Sequence, residues 1–348
     1  MTMPLLETPL GVREANLSDV AESGAIDAFV RGLPDATPFH LTAWSRAVER
    51  GCGQHARYLV AHRAGGEIAG VLPLTEMRSP LFGKALVSTG FGVDGGVLGE
   101  GVESLASAAW ELAGRLGCPG VELRGGPAPA GWEVDDTAYL GFARDLAADE
   151  AAELLAIPRK QRAEVRRALG LDLEVVTGGA ALLGEHYRVY AESVRNLGTP
   201  VFPARLFRSV LAAMDADVLT VRHHGRAVAS VLSLYFDGTV FPYWGGGTAA
   251  ARGLRANDRM YFALMNHART RGCTRFDFGR SKTGTGAAAF KKNWGFPAEP
   301  RSYAKRSAGA AREVNPLNPK YALMVRTWQK LPLPLANAIG PWIARGLG

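Results

Sequence analysis

Thr37–Val48 reads TPFHLTAWSRAV, and Thr199–Val210 reads TPVFPARLFRSV. Each opens on Thr-Pro, passes a phenylalanine and enters a stretch with apolar residues at helical spacing. Those residues are Trp44 and Val48 in the first copy, and Leu206, Val210 and Leu211 in the second. Two more pairs follow in the same order. LVAHRAGGEIAGVLPL (Leu59–Leu74) answers LTVRHHGRAVASVLSL (Leu219–Leu234), and RLGCPGVELRG around Cys118 answers RGCTRFDFGR around Cys273. Chance accounts for any one pair. An ordered set whose offset drifts slowly along the chain reads as one duplicated unit with altered loops.

Both copies share a grammar. A helix is followed by two apolar or alternating strands, joined by a tight turn at Gly65-Gly66 or His224-Gly225. A third strand runs into glycines, FGVDGG or YWGGGT. A helix over Glu103–Leu116 or Asn257–Arg271 then ends at Gly117 or Gly272, and a short strand, VELRG or RFDFG, completes the unit. Strands in succession, then helix, then strand, predict an α+β fold: two tandem lobes, each a mixed sheet flanked by helices. The expected boundaries are 10–148 and 149–305, with 306–348 as an amphipathic C-terminal tail. A chain of 348 residues is also too long for one core to be the default.

Lys and Arg total 40 against 33 Asp and Glu, a net charge of +7 that favours anionic partners. Three cysteines, Cys52, Cys118 and Cys273, lie too far apart for a CxxC pair, which argues against a disulfide framework or a cysteine metal site. The opening residues, MTMPLLETPLGVREANLSDV, lack a basic start and a long apolar core, so no signal peptide is read there. No window of about 18 apolar residues predicts a membrane-spanning helix. The expected location is the cytoplasm, with peripheral contact to the inner membrane through the tail.

Several loud motifs fail on context. Gly90-Phe-Gly92-Val-Asp-Gly95 satisfies GxGxxG, but the chain continues GVLGEG, with no helix to meet a pyrophosphate. Asp277-Phe278-Gly279 has no HRD loop before it, and Gly279–Gly286 lacks a GK[ST] ending. His223-His224 has no ligand partners at metal spacing, and no GxSxG occurs. No metal site is expected.

The remaining features resemble a family. The duplicated order of elements is similar to tandem acyl-CoA N-acyltransferase (GNAT-type) folds and to the Fem-type nonribosomal peptidyltransferases. TPFHLTAWSRAV, IPRKQRAEVRRAL and FDFGRSK followed by AAFKKNWGF carry that resemblance. More narrowly, SVRNLGTPVFP, YWGGGT and GRSKTGTGAAAFKKNWGF resemble the FemAB-like proteins associated with exosortase/PEP-CTERM systems, over most of residues 10–305. The resemblance implies an acyl- or aminoacyltransferase working on an amine acceptor in cell-envelope or exopolysaccharide synthesis. It implies no bound cofactor, and aminoacyl-tRNA or acyl-CoA as the donor co-substrate. Acetyl-CoA-using members carry [RQ]xxGx[GA] before the long helix, whereas this junction reads GGGTAAARGLRAND. That departure favours aminoacyl-tRNA, with an anionic or lipid-linked acceptor.

Acyl transfer to an amine needs a held carbonyl, a partner for the oxyanion and a route for the proton. The second copy has lysines after its last strand and the first has none, which places the chemistry in the second. Lys291 occupies the family's Phe-Lys position, implying a cationic clamp on the donor or the developing oxyanion. Asp277 and Tyr243 are candidate proton acceptors. Arg280, Lys282 and Lys292 are candidate phosphate ligands, with an ordinary solvated loop as the competing reading. Arg195 resembles the acceptor-diphosphate arginine of Fem relatives. Trp44 is a candidate wall of the acceptor groove, and Trp244 a further substrate-binding candidate. Arg159, Arg162 and Arg166 share one helix face, either solvated or anion-binding. The tail, with Trp328, Trp342, Lys330 and Arg345, reads either as packed on the lobes or as docked at a membrane interface. Two other functions stay open: an acyl-CoA-dependent N-acyltransferase acting on an amino sugar, and a non-catalytic binding or scaffold protein of a secretion system.

Overall fold

The computed structural model describes residues 10–309 and 322–348; residues 1–9 and the 310–321 part of the expected tail lie outside these. The chain forms two compact units. The first takes the chain as far as Asp135 and regains it at Ser302; the second comprises Asp136–Arg301 and the C-terminal helices.

The first unit contains β1 (Gly11–Glu14), α1 (Val20–Arg31), α2 (Thr42–Cys52), β2 (His55–His62), β3 (Ile68–Ser79) and β4 (Gly83–Ser88). It continues with β5 (Leu98–Gly99), α3 (Val102–Leu116), β6 (Gly120–Arg124) and β7 (Glu133–Asp135). The second unit contains β8 (Tyr139–Asp145), α4 (Glu150–Ala156), α5 (Arg159–Leu169), β9 (Glu174–Gly178), α6 (Leu183–Asn196) and α7 (Ala204–Ala213). Then come β10 (Ala216–His223), β11 (Arg226–Phe236), β12 (Thr239–Gly247), α8 (Ala256–Thr270), β13 (Arg275–Lys282), α9 (Gly286–Asn293) and β14 (Glu299–Pro300). After β15 (Tyr303–Ser307), which returns to the first unit, α10 (Ala322–Lys330) and α11 (Leu333–Ala344) close the chain.

The first sheet has the order β1-β2-β3-β4-β6-β15-β7, with β5 on β3; the second has the order β14-β8-β13-β12-β11-β10-β9. The succession α2, β2, β3, β4, α3, β6 matches α7, β10, β11, β12, α8, β13. Apart from the two-residue β5, the last strand before the long helix pairs in parallel with the strand after it in both sheets, β4 with β6 and β12 with β13. Two mixed sheets flanked by helices are therefore present, as the duplicated sequence predicted. The long helices stop where the glycines fall, since Gly117 and Gly272 adopt φ of +64° and +81°.

The units fall elsewhere than the linear boundaries at 148 and 305. β8 lies before residue 148 yet pairs with β13 of the second sheet, and β15 pairs with β6 and β7 of the first. The reason is local: β8 carries Phe142, which is fully buried in the second unit's core, and β15 carries Ala304, buried in the first unit's core. The chain thus exchanges one strand each way.

Helices seal each sheet by apolar stripes. Leu105, Ala109 and Leu112 of α3 meet Leu59, Leu72 and Leu86 in one core; Met260, Leu264 and Ala268 of α8 meet Val231, Val240 and Phe276 in the other.

Candidate functional site

The parallel pair β12 and β13 is bonded only at its start, Thr239 opposite Arg275 and Val240 opposite Phe276. Beyond that point both strands are bulged on their outer partners. In β12, Trp244 faces Leu232 and Pro242 faces Ser233, which leaves Tyr243 as an extra residue. In β13, Asp277 faces Ala143 and Arg280 faces Gly141, so Phe278 and Gly279 together oppose Phe142. An extra residue bends and twists its strand. Two such bends on neighbouring strands, just past their last shared pair, splay them into a V.

The bulge in β13 is held from both sides. Gly279 has φ +64°, a conformation that glycine adopts without a Cβ clash. Its amide donates to Asp277 Oδ1 at 2.7 Å. Lys291, on α9, donates from Nζ to the carbonyls of Phe278 at 2.7 Å, Arg280 at 2.9 Å and Gly279 at 3.4 Å. The ammonium also stands 5.4 Å from the ring centre of Phe142. Burial pulls its pKa down to about 8, with Asp277 opposing and Arg280 adding to the shift. Burial likewise raises the Asp277 carboxyl, against the Gly279 amide, Arg301 and Lys291. Lys291 and Asp277 thus meet at one bulge, and the outward-reaching clamp expected of Lys291 is redirected: its three protons point at backbone oxygens.

The other predicted residues divide by face. Arg280 lies 4.3 Å from the ring centre of Tyr139 and Lys282 lies 5.8 Å from it, so both gather on β8. Lys292 is exposed on α9. Tyr243 is half-buried and touches Trp244 at 4.9 Å. Trp244 itself is buried, 4.7 Å from Phe207 of α7, so it belongs to the packing under the sheet. Arg195 donates to the Gln329 carbonyl at 3.0 Å, at the end of α10, which ties its guanidinium to a helix terminus. Arg159 and Arg166 of α5 are exposed, while Arg162 bonds the Leu155 carbonyl at 3.1 Å.

Trp44 requires a correction. It is fully buried in the first unit, edge-on to Phe39 at 4.9 Å, and its indole donates to the Gly90 carbonyl. A side chain with no exposed surface walls no groove. The glycine-rich segment it supports is not a strand end either. β4 stops at Ser88, and residues 89–97 form a loop beside the C-terminal end of the β4–β6 pair. The carbonyls of this loop are taken by side chains: Thr89 and Gly92 by Arg124, Val93 by Tyr303, Asp94 by Thr37, Gly95 by Ser88 and Gly96 by His40. Backbone packing there leaves no room for a side chain. A Cβ on Gly96 would sit 1.9 Å from the Gly125 carbonyl. The glycines of GFGVDGG therefore serve close packing, and β4 and β6 stay paired up to Ser88, the end of β4.

One residue at the second unit's V escaped the sequence reading. Tyr261 of α8 lies against Phe278 at 4.8 Å, and a Cβ on Gly245 of β12 would come 3.2 Å from its hydroxyl. Its side chain therefore reaches from β13 to β12 across the splay. Burial pushes its pKa up to about 12, which keeps it a proton donor. A tyrosine within an amphipathic helix reads as core, and only the paired strands reveal where its oxygen lands.

At the junction of β12 and α8 the Ala249 amide donates to Glu192 Oε1 at 2.8 Å. The amides of Ala251, Leu254 and Arg255 bond within the turn. On α8, burial raises Asp258 to about 6, although Gln161 of α5 donates to it at 2.6 Å. Among the described residues no group of three or more His, Cys, Asp or Glu could hold a metal ion.

Residues 156–292 match the family model described as an acetyltransferase (GNAT) domain. No curated protein sequence matches the chain. Among solved structures, a crystal structure of FemX superposes with a TM-score of 0.65 at 16% identity, covering 84% of this chain and 96% of that one. A tandem GNAT protein from the clavulanic acid biosynthesis pathway gives 0.56 at 14% identity, covering 87% and 100%. The C-terminal domain of a putative lysylphosphatidylglycerol synthetase from Agrobacterium fabrum gives 0.55 at 16%, covering 88% and 95%. The chain accordingly has a tandem GNAT fold, and the stretch matched by the acyltransferase domain model lies wholly in its second unit.

Proposed function

We propose that the second unit transfers an aminoacyl group from aminoacyl-tRNA to the amine of an anionic or lipid-linked acceptor in cell-envelope or exopolysaccharide synthesis. The observation that carries this reading is the V between β12 and β13, with Lys291 and Asp277 fixing the bulge on one arm. In the reaction the amine nitrogen attacks the donor carbonyl, the bond to the leaving oxygen breaks, and the nitrogen loses a proton. Charge develops on the carbonyl oxygen, so donors already oriented in the V lower the barrier without reorganising. Lys291 turns the carbonyls of Phe278, Gly279 and Arg280 towards itself, which sets the peptide planes of that arm. Tyr261 supplies a hydroxyl donor at the same place, and Asp277 with its raised pKa is the candidate to receive the proton. In this scheme Lys291 is a positioning residue. Arg280 and Lys282 contribute positive charge beside Tyr139 for the phosphates of donor or acceptor.

The donor is favoured by what stands where CoA-dependent relatives bind pyrophosphate. A carboxylate, Glu192, already receives the Ala249 amide there and would repel a diphosphate. Similarity in fold to FemX and to a putative lysylphosphatidylglycerol synthetase supports aminoacyl transfer. The second reading, acyl-CoA-dependent N-acylation of an amino sugar, is favoured by the description of the family model as an acetyltransferase. Calorimetric titration of the full chain with acetyl-CoA and with aminoacyl-tRNA separates them. Micromolar binding of aminoacyl-tRNA alone supports the first reading and of acetyl-CoA alone the second. Failure of both to bind overturns the transferase proposal.

A further inference from the structure

The C-terminal helices are amphipathic in the inverse sense. Ala336, Gly340 and Ala344 recur every four residues on α11 and are buried, with Gly340 so close that a Cβ would lie 3.1 Å from the Val201 amide nitrogen. The face turned away carries Leu335, Ile339 and Trp342, which are 45%, 39% and 49% exposed. A helix lying on a domain in water ordinarily buries its large apolar residues and exposes its polar ones. Here small residues make the internal contact and the large ones look outward. Neighbouring α10 repeats the pattern. Val325 packs over Gly198, while Leu323 and Met324 are 75% and 61% exposed, and Leu197 at the end of α6 is 71% exposed.

Charge identifies the partner. From Ala322 to Gly348 the chain has no Asp or Glu, and its charged side chains are Arg326, Lys330 and Arg345. Arg326 and Lys330 are exposed on α10 beside the apolar side chains. No described helix is long and apolar enough to cross a bilayer. Short helices offering large apolar side chains, a tryptophan and only positive charge fit the plane of an anionic lipid surface, where the rings sit at headgroup depth and the cations meet phosphate.

We infer that α10 and α11 form a docking surface for an anionic phospholipid membrane. The inference is independent of the transferase reading, because it rests on surface residues remote from the β13 bulge in sequence and role. A protein partner would also cover apolar residues, but the absence of any Asp or Glu side chain across 322–348 favours lipid phosphate.

The test is co-sedimentation of the full chain with phosphatidylcholine vesicles, pure or carrying about 30% phosphatidylglycerol. The expected result is binding to the anionic vesicles, weakened by salt, with little binding to pure phosphatidylcholine. Ile339→Glu with Trp342→Glu should cut the partition coefficient at least about tenfold, and Arg326→Glu with Lys330→Glu should abolish the preference for anionic lipid. Circular dichroism checks folding, and the milder Ile339→Ser/Trp342→Ser pair replaces the first variant if it unfolds. Wild-type protein that stays in the supernatant, or serine variants that sediment like wild type, would overturn the proposal. So would concentration-dependent self-association lost in those variants without vesicle binding, which would assign the face to a second copy of the chain.

Discussion

Lys291 Nζ donates to the carbonyls of Phe278 and Arg280 while Asp277 receives the amide of Gly279, so one cation and one anion grip the same bulge through opposite ends of its peptide units. Lys291, its three protons spent on carbonyls, acts on a substrate only through the backbone it holds. Their joint effect is the shape of β13 where it leaves β12.

Lys291→Met should therefore remove the ammonium from the carbonyls of Phe278, Gly279 and Arg280 and release the bulge. A stability loss of about 1–3 kcal/mol is expected, within what a folded domain tolerates. Aminoacyl transfer should fall by roughly two orders of magnitude, as when a preorganised oxyanion site is lost. Circular dichroism with single-turnover kinetics distinguishes this from unfolding. Full activity in the variant would remove Lys291 from the mechanism.

The same residue predicts an alkaline limb. Its pKa is lowered from 10.5 to about 8, so as pH rises through about 8 the folded protein releases a proton that the unfolded chain still holds. Between those values this group makes folding more favourable with rising pH, because a buried charge is relieved. Activity should move the other way, since a neutral amine has two protons to offer three carbonyls. The kcat/KM profile should decline near pH 8, and Lys291→Arg, which stays charged, should lose that limb even if its maximum is lower.

Glu192 offers a test of donor choice. Glu192→Ala removes the carboxylate from the Ala249 amide and opens that turn to a diphosphate. Acetyl-CoA binding should strengthen, by about tenfold if one repulsive contact is removed. An unchanged or weaker affinity would show that this turn does not decide the donor.

Two histidines predict acid sensitivity. Burial lowers His186 to about 3 and His40 to about 4, and His40 keeps its proton on Nε2 for the Gly96 carbonyl because Nδ1 accepts the Thr37 amide. Both folded values lie below 6.5, so the unfolded state gains protons first as pH falls. Stability from these groups is complete above about 6.5 and is lost as pH falls to about 4 for His40 and about 3 for His186. Urea denaturation at pH 7 and pH 5 measures the loss. Replacing His186 with Gln should reduce it, and an identical pH dependence in that variant would contradict the assignment.

The repeated architecture was legible because its signals are local. Apolar strand runs, tight turns and terminal glycines at Gly117 and Gly272 sit within a few residues of what they control. The strand exchange was not, since YAKRS at 303–307 has no apolar run and its pairing depends on β6 and β7, far away in sequence. Lys291 was singled out by family position, but its hydrogen bonds to carbonyls depend on a register shift against Ala143 and Gly141 that no local pattern signals. Trp44 was misread although its helical spacing already placed it on the buried face with Val48. Tyr261 was invisible for the opposite reason: its helix position suggests core, and its hydroxyl matters only because β12 and β13 diverge.

The placement of β15 has a consequence for synthesis on the ribosome. When residues up to Asp135 have emerged, β6 has an open edge and β7 lacks the strand it pairs with, because β15 is the last strand made, after the whole stretch 136–301. Both halves are completed only near the end of the chain, the first by β15 and the second by α10 and α11, but the half translated first must wait through all of 136–301 for its missing strand. A nascent chain arrested near Asp135 therefore carries an unpaired strand edge, the kind of surface that chaperones cover and that aggregates when they do not.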